Sequence, residues 1–90
     1  MELKIIGSGS KGNGYVLDAG NEALVIECGV KLLEVKRAVG FNLSKIVGCI
    51  VTHQHNDHAG YAKEYCNAGL LVLALQEVIT AKGLENAKAI

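Results

Sequence analysis

The residues best suited to chemistry lie in one short stretch, "VTHQHNDHAG", residues 51–60. It contains all three histidines of the protein, His53, His55 and His58, and Asp57 lies between the last two. Imidazole and carboxylate groups together suit zinc, manganese or iron. Because residues two apart in an extended segment point the same way, His53 and His55 can approach one ion from one side. The stretch therefore predicts a metal site formed by His53, His55, Asp57 and His58.

The elements on either side of this stretch have to position its side chains. "KIVGCIVT", residues 45–52, is a continuous apolar run with β-branched residues, a pattern typical of a strand covered on both faces. A helix predicted from His58 redirects Asp57 and His58 toward a second position beside the first. The plainer alternative makes Asn56 or Asp57 a helix N-cap and the histidines an exposed polar loop. Three histidines and an aspartate at the end of a buried strand favour metal ligation instead.

The remaining patterns predict three short strands followed by alternating helices and strands. The strands are "LKII", "GYVLD", "EALVIEC" and, later in the chain, "LLVLAL". The helices run from Val30 to a C-cap at Gly40, from His58 to Gly69, and over "QEVITAK" before Gly83. This order predicts an α/β layer structure. Residues 1–90 are expected to form a single domain.

Composition excludes several classes of protein. The 50% hydrophobic and 20% charged content is that of a globular protein, and nine basic residues offset nine acidic ones. With a net charge of zero, the chain has no excess of basic residues for binding a phosphate backbone. No apolar run is long enough for a signal peptide or a membrane span, so we expect a cytoplasmic protein without membrane contact. Cys28, Cys49 and Cys66 form no CxxC pair and are interpreted as small buried hydrophobes.

A second motif, "GSGSKG" from Gly7 to Gly12, matches the GxGxxG pattern of dinucleotide-binding folds. Such a site needs a helix that begins at the third glycine, so that its amides meet the pyrophosphate. Here a predicted strand follows almost at once, and Asn13 occupies the place where a phosphate-binding P-loop has lysine. We therefore predict a glycine-rich connection between strands, with no dinucleotide cofactor.

The histidine stretch has the form HxHxDH, and "THQHNDHAG" resembles the metal signature of the metallo-β-lactamase superfamily. Upstream, "GSGSKGNGYVL" is similar to the opening of its exonuclease-like phosphodiesterase branch, and "LVIECG" lies where that branch ends a strand with an acidic residue and glycine. The resemblance covers nearly the whole chain. It implies an αββα sandwich and a metal-dependent hydrolase or nuclease that acts on phosphodiesters in nucleic acid or nucleotides.

The resemblance also implies roles for the motif residues. His53 and His55 would bind a first zinc ion and Asp57 and His58 a second, with manganese or iron as alternatives. Asp57 would in addition be catalytic and take the proton of the attacking water. Paired metal ions lower the pKa of water and stabilise the charge that develops on the attacked phosphorus.

Two features depart from the family pattern. Glu27 stands where the family usually has aspartate supporting the ligand loop, and glutamate is one methylene longer. The chain is also less than half as long as similar members, and no histidine or aspartate follows His58. It therefore resembles the N-terminal half of the sandwich with half of a dinuclear site. The alternative interpretation is a non-catalytic module that binds a metal weakly or dimerises.

Half of a sandwich would leave one apolar face of its sheet uncovered. The runs "VGCIVT" and "LLVLAL" would contribute to that face, which would exceed the few hundred Å² that monomers normally expose. We therefore expect either a missing C-terminal half or a second copy of the chain as its partner. A homodimer would be two-fold and would use the same patch on both chains.

Overall fold

The computed structural model describes residues 1–90 as one six-stranded sheet with a layer of helices on one face. The strands are adjacent in the sheet in their chain order. They are β1 (Glu2–Gly7), β2 (Gly14–Asp18), β3 (Ala23–Ile26), β4 (Ile46–Val51), β5 (Val72–Ala74) and β6 (Lys88–Ala89). The helices are α1 (Leu32–Ala38), α2 (Asn56–Ala59), α3 (Ala62–Asn67) and α4 (Gln76–Lys82). The predicted α/β class is confirmed.

The sheet changes from antiparallel to parallel at β3. Strands β1 to β3 form an antiparallel meander, whereas β3, β4, β5 and β6 are parallel to one another. Parallel neighbours end at the same edge of a sheet. Because Ile26 lies opposite Ile50, the residues that follow β3 and β4 leave the sheet side by side. This places Glu27 next to Thr52, at the start of the histidine stretch.

The hydrophobic core lies between the sheet and the helices. One cross-strand row of the sheet, Val16, Val25, Cys49 and Val72, is completely buried. It packs in one cluster with Val35 of α1, Tyr65 of α3 and Val78 of α4. Burying side chains of this size stabilises a fold by roughly 1.5–3 kcal/mol each. The alternation of buried and half-buried residues along β2 and β3 shows that one face of the sheet meets the helices.

The opposite face of the sheet is apolar and has no layer over it. One row that crosses five strands joins Ile5, Tyr15, Ile26, Ile50 and Leu73. None of these side chains is fully buried, and Ile5 is 66% exposed. The expected uncovered face is therefore present in the fold.

The single helix predicted from His58 to Gly69 is wrong, because the structure divides this segment into α2 and α3. The carbonyl oxygen of Asp57 accepts from the backbone N–H of Asn13, and that of His58 accepts from the N–H of Cys28. The N–H of Tyr61 donates to the carbonyl oxygen of Cys28 instead of to a carbonyl of α2. Distant segments thus take the carbonyl groups that a continuous helix would have used.

Two further elements were not predicted, the 3₁₀ turn Leu43–Lys45 and the short edge strand β6. Both are only two or three residues long, too short for a periodic pattern. No helix of the protein is both long and apolar enough to cross a membrane.

Candidate metal centre

The histidine stretch occupies the exit of β4 and the first turn of α2. Strand β4 ends at Val51, and the loop from Thr52 to His55 leads directly into the helix. The N-cap position is His55, which makes no capping side-chain hydrogen bond. The interpretation of Asn56 or Asp57 as an N-cap therefore does not describe the fold, because both residues lie inside the first turn.

Glu27 lies directly behind this loop and is only 4% exposed. Its Oε1 accepts from the backbone N–H of Thr52 at 2.8 Å, and its Oε2 accepts from the Thr52 hydroxyl at 2.5 Å. The same Oε2 accepts from Nδ1 of His58. The backbone of Glu27 has a φ of 71°, in the left-handed region that non-glycine residues seldom adopt. Glu27 therefore joins the strand exit to α2.

The contact with Glu27 determines which nitrogen of His58 is free. When Nδ1–H donates to a carboxylate, the lone pair of the ring lies on Nε2, the usual arrangement for a metal-ligating histidine. The Nε2 atom of His58 lies 3.6 Å from Oδ2 of Asp57. One imidazole nitrogen and one carboxylate oxygen are thus close together on the open side of the loop.

His53 lies between the other two histidines. Its ring centroid is 4.8 Å from that of His58 and 6.3 Å from that of His55. Its Nδ1 is 3.0 Å from the hydroxyl oxygen of Thr52, which leaves Nε2 free. Ligand atoms of His53, His58 and Glu27 all lie within 4.8 Å of one another.

The donor chemistry of this cluster fits a divalent transition metal. Imidazole nitrogens and a carboxylate oxygen are ligands for zinc, manganese and iron. Both oxygens of Glu27 already accept hydrogen bonds, so Glu27 acts from behind as the group that orients His58. His53 and His58 are the ligands that the fold brings together most closely.

The other two predicted ligands surround this pair. Asp57 is half-buried, and its side-chain Oδ2 lies 3.4 Å from Nδ2 of Asn13. His55 is exposed and lines a shallow cleft with Lys82, whose Nζ donates to Oδ1 of Asn56 at 2.5 Å. His55 also lines an open cleft with His53, but it is not part of the cluster of ligand atoms that His53, His58 and Glu27 form.

Sequence reasoning did not identify Asn13 as part of this arrangement. It follows a glycine-rich run that has a simpler explanation as a strand connection, and no local pattern links it to Asp57, 44 residues further along the chain. The role of Glu27 beside the ligand loop was suggested by the family resemblance and not by a local pattern. Asp18, by contrast, lies at the other end of β2 and pairs with Lys4 and Lys45, outside the site.

The cysteines lie beneath the site as buried thiols without disulfides, as predicted. The Sγ atoms of Cys28 and Cys49 are 3.0 Å apart, and their contact together with burial raises the pKa of the Cys28 thiol. Burial likewise raises the pKa of Cys66. Neutral thiols of this kind are packing groups, since the thiolate is the form that reacts or binds metal.

Known proteins share the sequence profile and the fold of this chain. The sequence profile of the metallo-beta-lactamase superfamily matches residues 7–89. The anti-Pycsar protein Apyc1 of Bacillus phage 010DV004 is 31% identical in an 85-residue alignment that covers 87% of this chain and 33% of that protein. The chain thus spans about a third of the length of this relative.

Solved structures show the same fold. The metallo-beta-lactamase fold protein YhfI from Bacillus subtilis superposes with a TM-score of 0.72 at 20% identity, over 98% of this chain and 44% of that one. The short form of human tRNase Z gives a TM-score of 0.64 at 15% identity, over 99% and 44% of the two chains. By fold, sequence profile and histidine motif, this chain belongs to the metallo-β-lactamase superfamily.

Proposed function

We propose that this chain carries the metal-ligand loop of a metal-dependent hydrolase that acts on phosphodiesters in nucleic acid or nucleotides. The observation that carries the proposal is the pairing of His53 with His58 in front of the buried Glu27 carboxylate. Superfamily membership supports metal-dependent hydrolysis as the reaction class. The similarity of "GSGSKGNGYVL" to the opening of the exonuclease-like phosphodiesterase branch supports a phosphodiester as the bond attacked.

The proposed ligand set is His53, His55, Asp57 and His58, with zinc as the first choice and manganese or iron as alternatives. When bound, two such ions would polarise the phosphoryl oxygen and acidify water. Glu27 keeps the Nε2 lone pair of His58 directed out of the loop. The carboxylate of Asp57, next to that nitrogen, is the proposed acceptor of the water proton.

The surface beside Asp57 supports an anionic substrate. An open cleft of about 390 Å³ is bordered by Asp57 and by Ser10, Lys11 and Tyr61. An ammonium group and two hydroxyl groups are donors that bind phosphate oxygens. Because the whole chain has no net charge, we propose that such local contacts hold the substrate, instead of a broad basic surface.

A second candidate function is a non-catalytic module that binds one metal or dimerises. It is favoured by the ligand count, because the 90 residues contain no histidine or aspartate after His58. A dinuclear site needs more protein ligands than this loop provides. The two candidates make opposite predictions for activity after the rest of the fold is supplied.

The test is complementation. This chain is produced together with the C-terminal part of the Bacillus phage relative that lies beyond the matched region, and zinc or manganese is added. Hydrolysis is followed with bis(p-nitrophenyl) phosphate, linear DNA, RNA and a 3′,5′-cyclic mononucleotide. The controls are the same pair with His58→Ala and this chain alone.

We expect metal-dependent hydrolysis of at least one substrate by the pair, no rate above background for the chain alone, and loss of the rate in His58→Ala. An associated, metal-loaded pair without activity would support the non-catalytic module. Hydrolysis by the chain alone that disappears in His55→Ala and Asp57→Ala would show that the short chain is an enzyme by itself.

A further inference from the structure

The glycine-rich loop between β1 and β2 contributes Ser10 and Lys11 to the proposed substrate cleft, and it also packs directly against α2. Its last residue, Asn13, is only 8% exposed, although asparagine side chains are usually on the surface. A buried amide has to find hydrogen-bond partners, or it costs about 1–3 kcal/mol. The hydrogen-bond partners of Asn13 therefore show which segment the loop is fixed against.

Asn13 binds Asp57 at three points. Its backbone N–H donates to the carbonyl oxygen of Asp57 at 2.6 Å, and its side-chain Nδ2 donates to the same oxygen at 3.0 Å. Nδ2 also lies 3.4 Å from the carboxylate Oδ2 of Asp57. One residue thus contacts both the backbone and the side chain of a proposed metal ligand.

The orientation of the Asn13 amide is fixed by the loop itself. Its Oδ1 accepts from the backbone N–H of Gly9 at 3.1 Å and from the hydroxyl of Tyr15 at 3.2 Å. Its Nδ2 donates to the carbonyl oxygen of Gly9 at 3.0 Å. A flipped amide would place oxygen against the Gly9 and Asp57 carbonyl groups, so the donor is directed at Asp57.

Glycines allow this close approach. A Cβ atom at Gly29 would overlap the carbonyl oxygen of Asp57 and lie 2.5 Å from the backbone nitrogen of Asn13. A Cβ atom at Gly12 would overlap the carbonyl oxygen of Gly29. The loop, the residues after β3 and α2 are therefore in backbone contact, which side chains at these positions would prevent.

We propose that Asn13 is a positioning residue for Asp57 and that the glycine-rich loop is a clamp on the metal-ligand helix. The Asn13 amide fixes the first turn of α2 and holds the Asp57 carboxylate beside Nε2 of His58. The inference rests on the proposed metal site. It gives the GxGxxG pattern of this chain a task unrelated to dinucleotides.

Cobalt(II) titration provides the test, because its visible absorption reports coordination as well as affinity. We compare wild type with Asn13→Ala, which leaves only the backbone bond, and Asn13→Asp, which has the same shape but directs an acceptor at Asp57. Asn21→Ala, in an exposed turn, is the control. We expect about tenfold weaker binding and an altered absorption band in both Asn13 variants, with Asn21→Ala unchanged.

A second measurement uses only the wild-type protein, so it does not depend on whether the variants fold. In wild type the side-chain amide signals of Asn13 should shift during a zinc titration, in step with the signals of Asp57. Wild type that binds no metal contradicts the proposed site and the inference together. Metal binding without a shift at Asn13, or folded Asn13 variants with wild-type affinity and spectrum, overturns the inference alone.

Discussion

The carboxylate of Glu27 accepts hydrogen bonds from Thr52 and His58, which lie 25 and 31 residues further along the chain. Its left-handed backbone costs roughly 1–2 kcal/mol in a non-glycine residue. Such strain persists where the surrounding contacts fix it, and it is concentrated at functional sites. The hydrogen bonds to Thr52 and His58 are those contacts, so Glu27 supports the site although the family usually has aspartate there.

The variant Glu27→Gln tests whether the Glu27 carboxylate orients His58 for metal binding. In Glu27→Gln one of the two acceptor oxygens becomes an NH2 group, which donates and cannot accept from His58 or from Thr52. The His58 ring therefore loses its fixed orientation. We expect about 10–100-fold weaker zinc binding and a free energy of unfolding lower by roughly 1–3 kcal/mol. Calorimetric titration and urea denaturation measure the two effects.

The control for this variant is Glu34→Gln, which removes an exposed carboxylate of α1. Unchanged zinc affinity in a folded Glu27→Gln protein would mean that His58 does not need the carboxylate behind it.

At the scale of elements, the site depends on how closely the exits of β3 and β4 approach the glycine-rich loop. Gly29 is the tightest point, because a Cβ atom there would meet both Asp57 and Asn13. We expect Gly29→Ala to lower the free energy of unfolding by about 1–3 kcal/mol, the usual cost of overpacking. Urea denaturation provides the measurement.

Gly48→Ala is the matched control, since its added Cβ would have only the carbonyl oxygen of Leu71 within contact distance, at 3.4 Å. Equal losses in the two glycine variants would argue against a specific contact at Gly29.

The opposite end of the meander contains a pH-sensitive contact. Asp18 accepts from the backbone N–H of Gly20 at 2.8 Å, from Lys45 at 3.0 Å and from Lys4 at 3.2 Å. These bonds, first that of Gly20 and then that of Lys45, lower the pKa of Asp18 to about 2. The folded pKa is below the unfolded value of about 3.9, so the stabilisation is complete above that pH and is lost as pH falls through about 2.

Urea denaturation from about pH 5 to pH 2 tests this linkage. Wild type should be more stable than Asp18→Asn at the upper end, and the difference should shrink toward the lower end. Glu22→Gln, at an exposed position in the neighbouring turn, should show no such change. A constant difference between wild type and Asp18→Asn would contradict the assignment.

The sequence predicted most of the elements because apolar runs of strand length, turn residues and helical spacing are local signals. It did not predict the break between α2 and α3, because the groups that cause it, Asn13 and Cys28, lie on other segments. For the same reason, the sequence predicted only part of the candidate site. The HxHxDH spacing marked the histidines, whereas the pairing of Glu27 with His58 depends on β3 and β4 being parallel neighbours.

At the scale of the whole molecule, the dominant feature is the uncovered apolar face of the sheet. The row from Ile5 to Leu73 crosses five strands, about 20 Å at the usual strand spacing, and contains no charged side chain. Surfaces of this kind mark interaction sites. We propose that this face is covered either by the rest of the sandwich or by a second copy of the chain.

For the chain alone we predict a two-fold homodimer through this face at high micromolar concentration. Ile5→Asp, at a 66% exposed position of β1, should shift the chain to monomer because it adds a charge to the apolar row. Leu33→Asp, at a 44% exposed position on α1, is the control on the helical side. Sedimentation that shows a stable wild-type monomer would contradict the prediction.

The central claim, that the histidine stretch is a metal site, is tested most directly by zinc titration of wild type followed by calorimetry. We predict measurable binding, weaker than the ~10–16 kcal/mol of a complete structural zinc site, because this loop lacks a full ligand set. Binding should be lost in His53→Ala and His58→Ala, reduced in His55→Ala, unchanged in Gln54→Ala, and weaker at acid pH because protonated imidazole cannot bind metal. Equal zinc binding by wild type and the His53 and His58 variants, or none by wild type, would contradict the account.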